Sequence, residues 1–165
     1  MDTSRSAVEE LIWERIALIP DPEIPVISIV ELGVVRDVQW DGKKLKITIT
    51  PTYTGCPAMH LFVAEIKAAM HEQGFDNLEI STVYAPAWTT DWLTPEAKEK
   101  LRQYGIAPPV MCSEDSDPFE MPPPVPCPRC GAETTTLVSQ FGATACKSLY
   151  SCNVCKEPFE YFKHF

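Results

Sequence analysis

The chain is 165 residues long, 45% hydrophobic and 22% charged, with a formal net charge of −9. That is globular composition, with room for one medium domain or for a small domain and an appendage, and the acidic balance argues against nucleic acid and anionic membrane surfaces as partners. No apolar run approaches the roughly 18–20 residues a bilayer demands, and Met1 to Glu10 carries acids where a signal peptide is basic and then apolar, so a cytoplasmic location is expected.

In chain order, Val8, Leu11, Ile12, Arg15, Ile16 and Ile19 make a helical apolar stripe that ends at Pro20. Val34 to Trp40 reads as a strand, Asp41-Gly42 as a tight turn, and Leu45 to Thr50 as the partner strand. Leu45, Ile47 and Ile49 alternate with Lys46, Thr48 and Thr50, so one face of that strand is buried. Pro57 to His71 predicts a second helix, with Met59, Phe62, Val63, Ile66 and Met70 on one stripe and Gly74 stopping it. Leu78 to Tyr84 is a third strand. Thr94 caps a third helix over Pro95 to Tyr104, which Gly105 ends.

Seven of the sixteen prolines then fall between Ala107 and Pro126, with Glu114, Asp115 and Asp117 among them. Such a stretch lacks the amide donors of a helix or central strand and reads as an extended, solvated spacer. The expected organisation is therefore an α+β domain over residues 1–106, a small sheet covered by helices. A proline-rich linker follows over 107–126, and a small domain over 127–165.

Seven cysteines are present: Cys56, Cys112, Cys127, Cys130, Cys146, Cys152 and Cys155. In a reducing compartment paired cysteines more often hold metal than form disulfides. Cys127-Pro128-Arg129-Cys130 and Cys152-Asn153-Val154-Cys155 are two CxxC knuckles separated by 21 residues. Each two-residue gap lets the backbone curl until both sulfurs face one point, and two such turns make the tetrahedral thiolate cage that zinc prefers. Thr134 to Val138 and Phe159 to Phe162 supply strands for a ribbon. Four cysteines leave no coordination position for water, so the predicted zinc is structural. Cys146, six residues ahead of Cys152, is either an additional thiol near that site or a small buried residue. Cys112, in the spacer, has no evident partner.

Cys56 stands between a strand and the helix predicted to start at Pro57, at the helix N-cap, where unpaired amides and the helix dipole favour a thiolate. Asp21 and Glu23 are either paired carboxylates available for acid–base work or caps of the turn after the first helix. His60, one helical turn after Cys56, reads as a solvated histidine. Trp88 and Trp92 either close a core or form a recognition patch. No glycine-rich phosphate loop, Ser/His/Asp arrangement or diiron Glu-x-x-His pair occurs. The chain therefore lacks the parts to activate oxygen by itself.

Three segments carry a resemblance: Asp21-Pro22-Glu23-Ile24-Pro25, Ser28 to Val35 with its Leu32-Gly33 step, and Thr52-Tyr53-Thr54-Gly55-Cys56-Pro57. In that order they resemble the iron–sulfur cluster assembly domain family, also called the metal–sulfur cluster biosynthesis family. Pro86 to Trp92, Cys127 to Cys130, Phe141-Gly142-Ala143-Thr144-Ala145-Cys146-Lys147 and Pro158 to Lys163 look like the branch associated with phenylacetyl-CoA epoxidase in phenylacetate degradation. The resemblance implies an accessory protein, not an enzyme, that helps mature or transfer an iron–sulfur cluster to the epoxidase's reductase component. It places the family's functional cysteine on Cys56 and its acidic motif on Asp21 and Glu23. One cysteine offers too few thiolates for a cluster, so a transient cluster would need a homodimer, a partner thiolate or Cys146. The alternative role is a structural adaptor that docks oxygenase components without cluster chemistry.

Overall fold

The computed structural model describes residues 6–110 and 124–164. Cys112 and the middle of the proline-rich stretch lie outside the described residues. The chain divides into two compact units, one formed by Met1–Trp88 with Trp92–Thr94 and the other by Thr89–Asp91 with Pro95–Phe165. No helix among the described residues is long and apolar enough to cross a membrane.

The first unit is a three-stranded sheet with two helices. Helix α1 spans Ala7–Ile16 and starts in a reciprocal capping box between Ser6 and Glu9. The second Glu9 carboxylate oxygen accepts the Trp40 N–H at 3.0 Å, which ties the start of α1 to the end of strand β1, Val35–Trp40. Strand β2, Leu45–Ile49, runs antiparallel to β1 and pairs Trp40 with Leu45. Asp41 shapes the turn between them, its carboxylate accepting the Lys43 and Lys44 N–H groups at 2.8 and 2.7 Å. Strand β3, Leu78–Thr82, lies parallel to β2, and a parallel pair needs a long crossover. Helix α2, Ala58–Glu72, supplies it.

Leu45, Ile47 and Ile49 are fully buried on the central strand, as the alternation predicts, and Ile12, Ile16, Phe62, Ile66 and Met70 of α1 and α2 are buried with them. Each such side chain contributes roughly 1.5–3 kcal/mol. Leu11, placed on the predicted stripe, is 40% exposed.

The Leu32-Gly33 step has a steric cause. Gly33 has φ +76°, and a Cβ there would lie 2.9 Å from Trp92 Cβ. Trp92 carries the Arg36 guanidinium 3.5 Å above its ring, and Trp88, 5% exposed, donates its indole N–H to the Leu32 carbonyl at 2.9 Å. Of the two readings of Trp88, core closure is the one its burial fits.

The second unit holds helix α3, Pro95–Tyr104, and a four-stranded sheet in the order β4-β7-β6-β5. The strands are β4 Ile106–Ala107, β5 Thr135–Ser139, β6 Lys147–Cys152 and β7 Pro158–Phe162. β5, β6 and β7 form an antiparallel ribbon, and β4 adds in parallel to β7. Strands β4 and β6 are absent from the sequence-based expectation. Ala107 and Val125, assigned to a solvated spacer, are buried in the ribbon's core with Cys127, Cys152 and Phe159. The spacer's described ends are therefore packed, because β4 takes a vacant edge of β7 and the Val125 carbonyl accepts the Thr135 hydroxyl at 2.8 Å. By the same pairing α3 and β4 group with the second unit, whereas the expected first domain ran to residue 106.

Gly33→Ala should destabilise the first unit by more than about 2 kcal/mol, since a left-handed backbone and a clash with Trp92 act together. Urea unfolding followed by tryptophan fluorescence measures it; a loss below about 0.5 kcal/mol would contradict this account.

Candidate metal centre and the solitary thiol

The four knuckle sulfurs converge. Cys127, Cys130, Cys152 and Cys155 place their Sγ atoms within 4.8 Å of one another, with Cys127 to Cys155 at 3.8 Å and Cys130 to Cys152 at 3.6 Å. A tetrahedron with Zn–S bonds of about 2.3 Å has edges of about 3.8 Å, so the donor set fits zinc in both element and spacing.

Each knuckle builds this geometry in the same way. The Gly131 N–H donates to the Cys127 carbonyl at 2.8 Å and the Lys156 N–H to the Cys152 carbonyl at 3.0 Å. The backbone then turns left-handed at the residue after the second cysteine, with φ +75° at Gly131 and +65° at Lys156. Glycine adopts that conformation freely, whereas lysine does so at a cost of about 1–2 kcal/mol. Amides also aim at sulfur. The Cys155 N–H, donated to Cys152 Sγ, is the main cause that brings the Cys152 thiol down to about 6. Cys155 accepts the Glu157 N–H, which alone favours its thiolate, but desolvation and the three neighbouring sulfurs push it up to about 12. Opposite shifts on adjacent thiols are what one crowded anionic site imposes, and a bound dication removes the conflict.

Cys146 does not join this group. It immediately precedes β6, whereas Cys152 ends that strand; six residues of extended chain separate the two by about 20 Å. Its sulfur instead lies 3.0 Å from the Thr144 hydroxyl.

In the first unit, Cys56 sits half-buried in the loop between β2 and α2. The cap of α2 is Pro57, so Cys56 stands one residue outside the N-cap position expected for it. Its carbonyl accepts the Met59 N–H at 3.4 Å and its N–H donates to the Tyr53 carbonyl at 3.1 Å, which closes the Thr52 to Pro57 loop as a compact turn. Pro57 already has helical dihedrals, φ −69° and ψ −22°, and caps the helix without a side-chain hydrogen bond. His60 is exposed, in keeping with a solvated histidine.

Asp21 and Glu23 part company. Asp21 is 6% exposed, and one of its carboxylate oxygens accepts both the Glu23 and Ile24 N–H groups at 2.8 Å. It also donates its own N–H to the Ile27 carbonyl at 2.9 Å. These bonds hold the turn that carries Pro22 and Pro25, the capping role among the two considered. Glu23 is exposed on that turn.

Comparison with known proteins divides the chain along similar lines. Residues 9–74 match the iron–sulfur cluster assembly protein family, and residues 112–163 match the PaaD zinc beta ribbon domain. A protein of Escherichia coli (strain K12) named as a subunit of 1,2-phenylacetyl-CoA epoxidase is 51% identical over 152 residues, 92% of this chain and 90% of that protein. The Fe-S protein maturation auxiliary factor YitW of Bacillus subtilis (strain 168) is 37% identical over 97 residues, covering 58% of this chain and 94% of its own. Among solved structures, a domain of unknown function, DUF59, from Bacillus anthracis superposes with TM-score 0.55 at 29% identity. It covers 61% of this chain and 97% of that one.

Two measurements probe these assignments. Asp21→Ala should cost about 1–2 kcal/mol, the loss of two amide acceptors at a buried turn, while Asp21→Asn, which keeps a carbonyl acceptor, should cost less than half of that. Equal losses in thermal unfolding would speak against the capping role. Treating the reduced protein with a strong chelator should collapse the NMR amide signals of β5, β6 and β7 and leave those of β1 and β2 dispersed. Ribbon signals that survive complete metal removal would refute metal-dependent folding of this segment.

Proposed function

The chain belongs to the PaaD family, together with the Escherichia coli protein named for phenylacetyl-CoA epoxidase, and from that premise we propose that it is a non-catalytic accessory of the epoxidase, assisting iron–sulfur cluster maturation of the reductase component. On this reading the two kinds of thiol do different work. The four sulfurs of the ribbon hold a structural zinc, whose coordination they saturate, and Cys56 holds cargo transiently.

One observation carries the reading. The ribbon sulfurs lie within 4.8 Å of one another, a closed set with no ligand position left for exchange. Cys56 belongs to the other unit, half-buried on a loop of the segment that matches the cluster assembly family. The named maturation factor, which aligns over 58% of this chain and 94% of its own length, supports placing the cluster function in the segment that matches the assembly family. A cluster needs about four thiolates, so Cys56 would share it with thiolates of a client or of a second protomer.

The test is metal analysis of anaerobically purified protein, wild type beside Cys56→Ser, paired with epoxidase activity in cells carrying each form. Zinc near one per chain is expected in both, iron in the wild type alone, and at least a tenfold loss of assembled epoxidase in the variant. Full epoxidase maturation with Cys56→Ser would overturn the role assigned to this thiol.

A further inference from the structure

The hairpin loop joining β5 to β6, residues 140–146, has no part in the metal site, yet its backbone is held at nearly every position. Phe141 is bonded twice to Ser139, its N–H donating to the Ser139 hydroxyl at 3.2 Å and its carbonyl accepting from that hydroxyl at 2.9 Å. The Gly142 N–H donates to the Lys147 carbonyl at 2.7 Å, and the Lys147 N–H to the Thr144 carbonyl at 3.2 Å. Glu160, reaching over from β7, accepts the Ala143 N–H at 2.9 Å on one oxygen and the Lys147 ammonium at 2.6 Å on the other. Lys147 is only 3% exposed. A Cβ at position 142 would stand 2.7 Å from Glu160 Oε1, so glycine lets the carboxylate reach the loop. Lys163 closes the far side, donating its backbone N–H to the Cys146 carbonyl at 3.0 Å and its ammonium to the Ala145 carbonyl at 2.9 Å.

All this fixes a loop whose most prominent apolar group faces solvent. Phe141 is 66% exposed, and the Lys163 ammonium sits 4.5 Å from its ring centroid. An ion pair that buries its lysine and half-buries its carboxylate is a costly way to order a loop that only connects two strands. Ordering an aromatic side chain before contact is how a docking surface reduces its entropic cost of association. The tip combines one exposed aromatic on a braced backbone with one cation, on a chain whose net charge is −9.

We propose that the 140–146 tip is a protein-docking element, with Phe141 as the anchor, for an epoxidase component that presents an apolar pocket rimmed by carboxylates. The proposal rests on the accessory role argued above and assigns to the ribbon the task of client engagement. The carboxylate rim is what the Lys163 ammonium complements. A protein partner is favoured over a lipid surface because one aromatic beside one cation is a footprint that fills a pocket, whereas a membrane-binding surface presents a broad apolar face and a cluster of cations.

The test is binding of the full-length, zinc-loaded chain to each purified epoxidase component, measured by interferometry at two salt concentrations. Wild type should bind one component. Phe141→Ala should weaken that binding on the order of 30-fold, the scale of an interface hot spot, and Phe141→Trp should retain it. Lys163→Glu should slow association and flatten its salt dependence. Gly142→Ala, which keeps Phe141 but displaces Glu160, should weaken binding with zinc content unchanged. Leu18→Ala removes another exposed apolar side chain, 72% exposed, and should have no effect. Unchanged affinity in zinc-replete Phe141→Ala, or no component bound by wild type, overturns the proposal. So does Phe141-dependent self-association, or Phe141-dependent binding to phosphatidylcholine–phosphatidylglycerol vesicles, without component binding. Cys56→Ser should bind as wild type does, so a failure of docking and a failure of the maturation role remain distinguishable.

Discussion

Four thiol groups packed within 4.8 Å cannot all ionise unless something positive stands between them, and the second unit is organised around that constraint. The apolar cluster beside the cage consists of Ala107, Val125, Cys127, Cys152 and Phe159, flanked by Ala132, Tyr150 and Tyr161. Two of the five central members are themselves knuckle cysteines. The sulfur cage and the apolar packing around it are thus one structure, and the packing beside the cage alone offsets little of the chain entropy lost on folding. The left-handed Lys156 fits this picture: a conformation that disfavours lysine persists where the Lys156 N–H bonds the Cys152 carbonyl and closes the knuckle.

The first unit obeys ordinary packing. Its central strand is buried through Leu45, Ile47 and Ile49, and two of its carboxylates, Asp21 and Glu9, are committed to architecture. Asp21 is the clearest instance. A buried acid that accepts two backbone amides at 2.8 Å is occupied as a turn-former, whereas Glu23 beside it is exposed. Glu9 is similar, capping α1 with one oxygen and anchoring the end of β1 with the other.

Much of this is legible in the residues. The alternation from Leu45 to Thr50, the stripe from Phe62 to Met70 and the Thr94-Pro95 helix start are local signals with local causes, and each has its counterpart among the observed elements. The CxxC spacing likewise announces a four-sulfur set, because two residues between cysteines leave few other ways to curl. Strand β6 escapes a sequence reading because Lys147 to Cys152 lacks a plain apolar alternation: Lys147 and Ser148 are buried polar residues, satisfied by pairing that depends on β7. Ala107 and Val125 mislead because a run of prolines signals a spacer, and nothing nearby in sequence reveals that β7 has an open edge to receive β4.

The sequence by itself determined the helices, the hairpin, the family resemblance and the identity of the sulfur ligands, since all of these follow from spacing over a few residues. Tertiary structure alone decided that Cys146 stands at the opposite end of β6 from the sulfur cage, that Asp21 is buried as a cap, and that Gly33 and Gly142 exist to admit Trp92 and Glu160. The two glycine contacts join positions 59 and 18 residues apart in the chain. That convergence is set by how strands pair and pack, which no local pattern encodes.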